Sequence, residues 1–320
     1  MVNDDEGISS VKASKTSRSS TGLSRLIDSP QLIGDGPTGL CTNYTGVTDD
    51  LRRGVDALIE AGVALTALFT PEHGYWGAIQ AGEAVGDSVD TATGLPIIDT
   101  YLCEGERLDA LLKDSGVAQL LVDFQDIGSR FYTYTWTLFD LLGSAARLGI
   151  RIVVLDRPNP LGSRLSVGPG LETASSSFVG RVSIPLQHGL TLGELALWFN
   201  SEHIVETVGR AADLQVIEVT NWNGQRQSDS DAWVMPSPNM PTLNTAMVFP
   251  AIGLLEGTTL SEGRGTTRPF ELFGAGWTDS RLAAALNEHQ LPGVIFREAV
   301  FRPTFSKWSG ETVHLSLIHI

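Results

Sequence analysis

Short apolar runs alternate with helical patterns through the first two hundred residues, and this alternation constrains the fold most strongly. The runs at 63–69, 117–124 and 151–156 read as buried strands, whereas 49–62 and 137–149 place apolar residues near a helical spacing. Strand, helix and strand in this order predict a parallel sheet with helices on both faces. We therefore expect an α/β fold with a Rossmann-like sheet.

The pattern changes after about residue 205, which predicts two parts. Residues 31–205 are expected to form the Rossmann-like domain, and 206–314 a smaller α+β C-terminal lobe. Residues 1–30 are polar and rich in Ser, so we expect them to be disordered. The last six letters, at 315–320, correspond to a reading frame of a common sequencing adaptor. They are expected to be a non-native tail that replaces the natural end of the smaller lobe.

The charge balance argues against two classes of partner. The chain of 320 residues has a formal net charge of −15 and a pI of about 4.7. Such a surface repels nucleic acid phosphates and anionic lipids, so we expect neither as a partner. No run of 18 apolar residues occurs, and the N-terminus lacks the apolar core of a secretory signal. We expect no membrane span and a cytoplasmic location, while the oligomeric state stays open.

Several common cofactor and catalytic motifs are missing from the sequence. No G-x-G-x-x-G follows the first strand and no GK[ST] occurs, so the sheet does not imply a dinucleotide or ATP, and no cofactor is expected. The nucleophile elbow G-x-S-x-G is also missing. Glu72, His73, Asp123 and Asp126 leave a metal site open as an alternative. Zinc and related sites usually use more His or Cys, so no metal is expected.

Polar segments lie at the carboxyl ends of the predicted strands, which is where ligands bind in parallel sheets. These segments are TNYTG (42–46), TPEHGYWG (70–77), QDIGSR (125–130) and DRPNP (156–160). A fifth polar segment, EGRGTTRPF (262–270), carries two arginines that suit a planar carboxylate or phosphate. An internal salt-bridge network that braces this loop is the alternative. The sequence therefore predicts one active site assembled from these segments.

Glu72 has the features of a possible general acid. Pro71 restricts the backbone before it, and Gly74 permits a tight turn after it, so the carboxyl group is expected to be held rigidly. Tyr75 and Trp76 would shield a carboxyl group from water, which favours the protonated form that a general acid needs. Trp76 also offers a ring face for a sugar. A solvated loop carboxylate is the alternative interpretation.

Seven collinear runs resemble a bacterial family, once a domain of unknown function, of exo-β-N-acetylmuramidases of the NamZ type. The longest are LFTPEHGYWGAIQAGE, DFQDIGSRFYTYTWT and MPSPNMPTLNTAMVFPAIGLLEGTTLSEGRGTTRPFE, and together the runs cover roughly residues 38 to 313. Two positions depart from the family pattern. Tyr44 replaces the usual Pro, and Trp76 stands where Phe or another aromatic is usual.

The resemblance implies a glycosidase that releases terminal β-N-acetylmuramic acid from the non-reducing end of peptidoglycan fragments of the MurNAc-GlcNAc type, in cell-wall turnover or recycling. It makes Glu72 the acid. A second group is expected from Asp126 or Glu262, with Tyr134 or the acetamido group of the substrate as alternatives. A metal-dependent hydrolase and a non-catalytic carbohydrate-binding protein are the rival functions, and the resemblance leaves export open.

The lactyl carboxylate of muramic acid gives the arginines a role, because a protein of charge −15 needs fixed cations to hold an anion. Arg264 or Arg268 is therefore expected to contact it. The further candidates for substrate binding are His73, Trp76, Asn43, Gln125, Arg130 and Asn239.

Overall fold

A seven-stranded sheet organises the larger part of the computed structural model, which describes residues 19–83, 86–228 and 231–320. Its strands are β1 (Thr38–Thr42), β2 (Leu65–Thr70), β3 (Ser88–Val89), β4 (Pro96–Asp99), β5 (Gln119–Asp123), β6 (Arg151–Leu155) and β7 (Leu214–Ile217). The order across the sheet is β3-β4-β2-β1-β5-β6-β7, and every neighbouring pair is parallel except β3 and β4. The predicted parallel sheet is confirmed.

Helices cover both faces of this sheet. They are α1 (Gly22–Asp28), α2 (Gly54–Glu60), α3 (Gly105–Ser115), α4 (Tyr134–Leu148), α5 (Leu192–Trp198), α6 (Val205–Val208), α7 (Leu243–Ile252) and, in the smaller lobe, α8 (Arg281–Glu288). A π-helical turn, Phe199–Ile204, joins α5 to α6. Buried side chains of α1 and α2 form one apolar core and those of α3, α4 and α5 another. Within the described residues, no helix is long and apolar enough to cross a bilayer.

Strand alternation explains the two cores. In β1, Leu40 belongs to the first core and Cys41 to the second, and in β5 Leu121 and Val122 divide in the same way. Successive side chains of a strand point to opposite faces, so a sheet buried on both sides reads as a continuous apolar run. This is the pattern from which the sequence predicted β5.

The expected disorder of residues 1–30 is wrong for residues 19–30. Helix α1 begins after Thr21, whose hydroxyl accepts a hydrogen bond from the Ser24 amide at 3.2 Å, and it buries Leu23 and Leu26 completely. Because α1 has fewer than two full turns inside a polar stretch, its few apolar residues gave no readable period. Residues 1–18 of this prediction lie outside the described residues.

The smaller lobe contains a three-stranded antiparallel sheet of β8 (Leu272–Ala275), β9 (Ile295–Phe301) and β10 (Val313–His319), in the order β8-β10-β9. The predicted boundary at 205/206 is wrong, because β7 follows it in the chain and pairs with β6 in the large sheet. Leu317 and Ile318, in the last six letters, are buried in β10. The non-native origin of 315–320 stays a prediction.

The strand order places a topological switch point between β1 and β5. The chain runs from β1 to β2 and β4 on one side, and from β5 to β6 and β7 on the other. Ligands of open α/β sheets bind beyond the carboxyl ends of strands at such points. The segments PEHG (71–74), QDIG (125–128) and DRPNP (156–160) follow β2, β5 and β6, so they lie at one edge of the sheet, as predicted.

Candidate active site

Glu72 is held at the end of β2 by donors from two other segments. Its Oε2 accepts a hydrogen bond from the Thr133 hydroxyl at 2.7 Å, and its Oε1 accepts one from the Gly82 amide at 3.1 Å. The residue is 7% exposed. His73 has a φ of 73° and Gly74 a φ of 70°, so the backbone turns sharply directly after Glu72. The carboxyl group is therefore buried and fixed in direction.

Thr133 and Tyr101 are functional candidates that the sequence interpretation missed. Thr133 directly precedes α4, and its hydroxyl can donate to a carboxylate or accept from a carboxylic acid, so it suits both forms of Glu72. Burial, followed by the charge of the neighbouring Glu72, raises the pKa of Tyr101 to about 12. Neither residue stands near Glu72 in sequence, so no local signal pointed to them.

Glu72 borders a cavity of about 50 Å³ between the sheet and the smaller lobe. The polar groups of its lining come from the loop after β2, from the start of α4, from the segment before α7 and from the loop before β8. They belong to Glu72, His73, Tyr132, Thr133, Ser237, Asn239 and Arg264. Sequence reasoning placed Glu72, His73, Asn239 and Arg264 in one site, and the structure brings these four together.

His73 presents an unprotonated nitrogen to this cavity. Its Nδ1 lies 2.8 Å from the Ile79 carbonyl oxygen, and because a carbonyl only accepts, Nδ1 carries the proton. Burial lowers the pKa of His73; the nearby Glu72 carboxylate opposes this, and the Arg264 guanidinium adds to the lowering. The ring is therefore neutral near pH 7, with Nε2 as a hydrogen-bond acceptor.

Arg264 reaches the same cavity from the smaller lobe. Its Nε and Nη2 donate to Glu256 Oε1 at 3.1 and 2.7 Å, and Nε lies 3.5 Å from Glu262. These contacts brace the loop before β8, and they leave the Nη1 group of Arg264 to bind a ligand. Arg268 is different: its side chain is 55% exposed, pairs with Glu271 at 2.9 Å and does not line the cavity. Of the two predicted arginines, only Arg264 faces Glu72.

The predicted second carboxylates have protein partners of their own. Asp126 Oδ2 accepts from the Gly128 amide at 2.6 Å and lies 3.1 Å from His188 Nε2. Glu262 pairs with Lys307 at 3.2 Å, and the Lys307 ammonium also donates to three backbone carbonyls. Both acids are buried, and neither lines the cavity at Glu72. Both carboxyl groups are therefore already engaged by protein donors.

Tyr134, Asn43 and Arg130 also have structural contacts instead of the predicted ones. The Tyr134 hydroxyl donates to the Pro236 carbonyl and accepts from Asn43 Nδ2 at 2.7 Å. Burial, above all, raises the pKa of Tyr134. The Arg130 guanidinium donates to the carbonyls of Pro169 and Ile184. All three residues are buried, and none of them lines the cavity at Glu72.

Trp76 lies on the surface beside the Glu72 loop. The residue is 57% exposed, and the Arg53 guanidinium lies 5.4 Å from its ring centroid. Tyr75 is buried but bonds to Arg53 at 2.9 Å. Tyr75 and Trp76 do not line the cavity at Glu72, and the Glu72 carboxyl group is instead buried between α4 and the smaller lobe. The exposed face of Trp76 remains open to a sugar.

Asp123 ends β5 in a buried ion pair and is not placed to bind a metal. Arg157 Nε and Nη2 donate to its two carboxylate oxygens at 2.6 and 2.9 Å, and Nη2 also reaches the Val47 carbonyl at 3.0 Å. Within the described ranges, no group of three His, Cys, Asp or Glu residues is arranged to hold a metal ion. The pair ties the ends of β5 and β6 to the loop after β1.

A second and larger cavity, of about 460 Å³, lies at the same sheet edge. Thr45, Gln125 and Arg157 line it from the ends of β1, β5 and β6, and Trp222 and Trp233 close it from the segment after β7. The sequence predicted a single site from all the strand-end segments. The structure divides them: PEHG and EGRGTTRPF border the cavity at Glu72, whereas TNYTG, QDIGSR and DRPNP border the larger one.

The unusual Tyr44 packs directly on the Glu72 loop, which yields a stability prediction. Gly77 has a φ of 63°, and a Cβ there would overlap the Tyr44 ring. Gly77→Ala is expected to lower the free energy of unfolding by about 1–3 kcal/mol, as overpacking typically does. Gly94→Ala is the control, because Gly94 also has a positive φ, 74°, but open space around it. Urea unfolding measures both, and equal losses would contradict the packing argument.

The chain matches two adjacent family models. They are described as exo-beta-N-acetylmuramidase NamZ, N-terminal, over residues 38–244, and the C-terminal part of the same protein, over residues 247–320. A curated relative, peptidoglycan beta-N-acetylmuramidase NamZ of Bacillus subtilis (strain 168), is 44% identical over 308 residues. That alignment covers 95% of this chain and 73% of the relative.

Two crystal structures from Bacteroides fragilis NCTC 9343, both described as DUF1343 family proteins, have the same fold. The first has a TM-score of 0.84 at 35% identity and covers 95% of this chain and 77% of its own. The second has a TM-score of 0.75 at 31% identity and covers 93% and 76%. The fold and the relatives define the chain as a glycoside hydrolase. It belongs to the exo-β-N-acetylmuramidase NamZ family.

Proposed function

We propose that this protein releases terminal β-N-acetylmuramic acid from the non-reducing end of peptidoglycan fragments, with Glu72 as the general acid. One observation carries the assignment. Among the described residues, Glu72 supplies the only carboxyl group that lines the cavity between the sheet and the smaller lobe. The contacts to Thr133 and Gly82 support it, because a general acid has to be aimed at the bond that it protonates.

The chemistry follows from this placement. Glu72 gives its proton to the glycosidic oxygen, the bond from that oxygen to the anomeric carbon breaks, and positive charge develops on the sugar ring. Water then supplies the hydroxyl group to the anomeric carbon and returns a proton. The Thr133 hydroxyl accepts from the acid form of Glu72 before transfer and donates to the carboxylate after it.

The second catalytic group is proposed to be the 2-acetamido group of the substrate. Glycosidases of this class need a carboxylate or a substitute on the far side of the scissile bond. Asp126, Glu262 and Tyr134 are engaged by protein partners and lie outside the lining of the cavity. The acetamido group of N-acetylmuramic acid is attached to the reacting ring through its nitrogen, next to the anomeric carbon, so its carbonyl oxygen needs no protein group to bring it there.

The small volume of this cavity leads us to propose that its walls separate when substrate enters. Pockets that enclose a small ligand measure roughly 300–1,000 Å³, whereas the cavity at Glu72 measures about 50 Å³. Its walls come from the loop after β2 on one side and from the smaller lobe on the other. A sugar therefore reaches Glu72 when these two parts move apart. When they close again, Arg264 comes into contact with the sugar.

A chromogenic β-N-acetylmuramide tests the proposed activity directly. We expect hydrolysis of this compound, much slower hydrolysis of the matching β-N-acetylglucosaminide, and no change on addition of a chelator. Loss of activity with chelator would instead identify a metal-dependent hydrolase. Binding of N-acetylmuramic acid without any turnover would identify a carbohydrate-binding protein.

Arg264 is proposed to bind the lactyl carboxylate, and Arg264→Lys is expected to raise KM for the muramide about tenfold or more. A lysine keeps the charge but loses the planar pair of donors that matches a carboxylate. Arg268→Lys is the matched control, because Arg268 is exposed and outside the cavity. Steady-state kinetics with both sugars measures the effect. Equal weakening of muramide and glucosaminide by Arg264→Lys would assign Arg264 a bracing role only.

Substrate length and location extend the proposal. A fragment of the MurNAc-GlcNAc type fits an enzyme that acts on terminal units, and digestion of defined disaccharides tests it. The cytoplasmic location rests on the sequence near the N-terminus, where residues 1–18 lie outside the described part of the chain. It stays a prediction, which fractionation of the source cell would check.

A further inference from the structure

The larger cavity has the size and position of a ligand site, yet the proposed chemistry does not use it. Its volume of about 460 Å³ falls within the roughly 300–1,000 Å³ of pockets that hold small ligands. It opens at the carboxyl ends of β1, β5 and β6, beside the switch point of the sheet. Ligands of open α/β sheets bind in this position.

Two tryptophans give this cavity its aromatic surface. The Trp222 indole nitrogen donates to the Gln225 carbonyl, and that of Trp233 donates to the Met240 carbonyl, both at 3.0 Å. Because their polar atoms are satisfied inside the protein, what the rings offer a ligand is their apolar surface. Both rings are partly exposed. Flat aromatic faces of this kind stack on the C–H face of a pyranose ring.

The polar groups of the cavity suit an uncharged ligand. Arg157 is neutralised by Asp123, and the other charged side chains of the lining are one cation, Arg226, and two anions, Asp49 and Asp231, so the lining has no excess of positive charge for an anion. Gln125 uses its Nε2 for the carbonyls of Asp126 and Pro158, which leaves its Oε1 to accept from a hydroxyl or amide N–H. This cavity therefore differs from the one at Glu72, where Arg264 is placed to meet an anion.

The two cavities are neighbours along one segment of chain. Trp233 and Val234 line the larger cavity, and Ser237 and Asn239 line the cavity at Glu72. Two residues separate Val234 from Ser237, so three Cα-to-Cα steps, at most about 10 Å of extended chain, lie between them. A single extended saccharide can therefore contact both cavities.

We infer that the larger cavity is a second saccharide site, which binds uncharged N-acetylhexosamine units through Trp222, Trp233 and Gln125. The further assignment, that these units belong to the glycan whose terminal sugar reaches Glu72, rests on the proposed function. The site holds the part of the substrate that remains after cleavage. It gives Gln125, a predicted substrate contact that lies outside the cavity at Glu72, a role in binding.

Titration of the full chain with triacetylchitotriose, an uncharged trimer of N-acetylglucosamine, tests the site by calorimetry. We expect saturable binding that Trp222→Ala weakens about tenfold or more. Trp277→Ala is the matched control, since Trp277 is 65% exposed in the smaller lobe and its loss should leave Kd unchanged. Gln125→Ala is a second test variant. We expect it to weaken binding of the trimer as well, but less than Trp222→Ala does. Thermal unfolding establishes that each variant is folded.

The inference is overturned if the protein does not bind triacetylchitotriose in the millimolar range, or if Trp222→Ala and Trp277→Ala bind it equally. Tighter binding of inorganic phosphate at the same residues would also overturn it, because the ligand would then be an anion. The link to catalysis has its own readout. Trp222→Ala should raise KM for a long glycan more than for the small muramide. Failure of muramide hydrolysis with intact trimer binding would refute the proposed function and leave the second site standing.

Discussion

Replacement of Glu72 by glutamine is expected to lower kcat by about 10²–10⁴-fold, the usual contribution of general acid catalysis. Glutamine has nearly the same shape but no acidic proton to give to the leaving oxygen. The fold should survive, because the amide oxygen can still accept from the Gly82 amide and the Thr133 hydroxyl can turn to accept from the new NH₂ group. Turnover of the chromogenic muramide measures the effect.

Glu206→Gln is the matched control for this experiment. It makes the same chemical change at an exposed glutamate on α6 that does not line the cavity. The kcat of this variant should stay at the wild-type value. Thermal unfolding of both variants separates loss of chemistry from loss of structure. A Glu72→Gln protein that keeps more than half of the wild-type kcat would show that another group protonates the leaving oxygen.

Asp123→Ala is expected to destabilise the fold by about 3–5 kcal/mol, the range seen when one partner of a buried ion pair is removed. The Asp123 and Arg157 side chains are 1% and 8% exposed, so the variant leaves the guanidinium charge buried without its counterion. The ends of β5 and β6 and the loop after β1 meet at this pair. Urea unfolding measures the loss of stability, from the midpoint of the transition and the dependence of the free energy of unfolding on urea concentration.

A second ion pair of the same length supplies the control. Asp109 and Arg147 also lie 2.6 Å apart, but their side chains are 18% and 36% exposed. Asp109→Ala should therefore cost at most about 1 kcal/mol, because solvent screens the pair and hydrates the arginine that is left. Similar losses for Asp109→Ala and Asp123→Ala would contradict the view that burial sets the difference.

The fold could be predicted where its signals are local. β2, β5 and β6 were recognised from apolar runs, and α5 begins with a capping box of Thr191 and Glu194, which is likewise a local signal. The predicted helix at 49–62 begins only at Gly54. The Thr48 hydroxyl accepts a hydrogen bond from the Arg52 amide, and Leu51 has a φ of 65°. Residues 48–52 therefore form a turn before the helix begins. Helix starts within polar stretches are poorly marked in sequence.

The candidate site was predictable only in part, because its decisive contacts join residues far apart in the chain. Glu72 and Thr133 are 61 residues apart, and Asp126 and His188 are 62 apart. A sequence shows which carboxylates exist but not which of them are already occupied by protein donors. For the same reason the strand-end segments were assigned to one site, although the fold distributes them between two cavities.

The position of β10 between β8 and β9 has a consequence for biosynthesis. Because β10 lies between β8 and β9 but follows both in the chain, the smaller sheet cannot form until residues as late as His319 have left the ribosome. The connection from β9 to β10 carries Lys307, which anchors Glu262 beside Arg264. The nascent chain can therefore complete its large sheet and position Glu72 before Lys307 is available to bind Glu262 in the loop that carries Arg264. Arg264 is thus expected to reach its final position later during translation than Glu72 does.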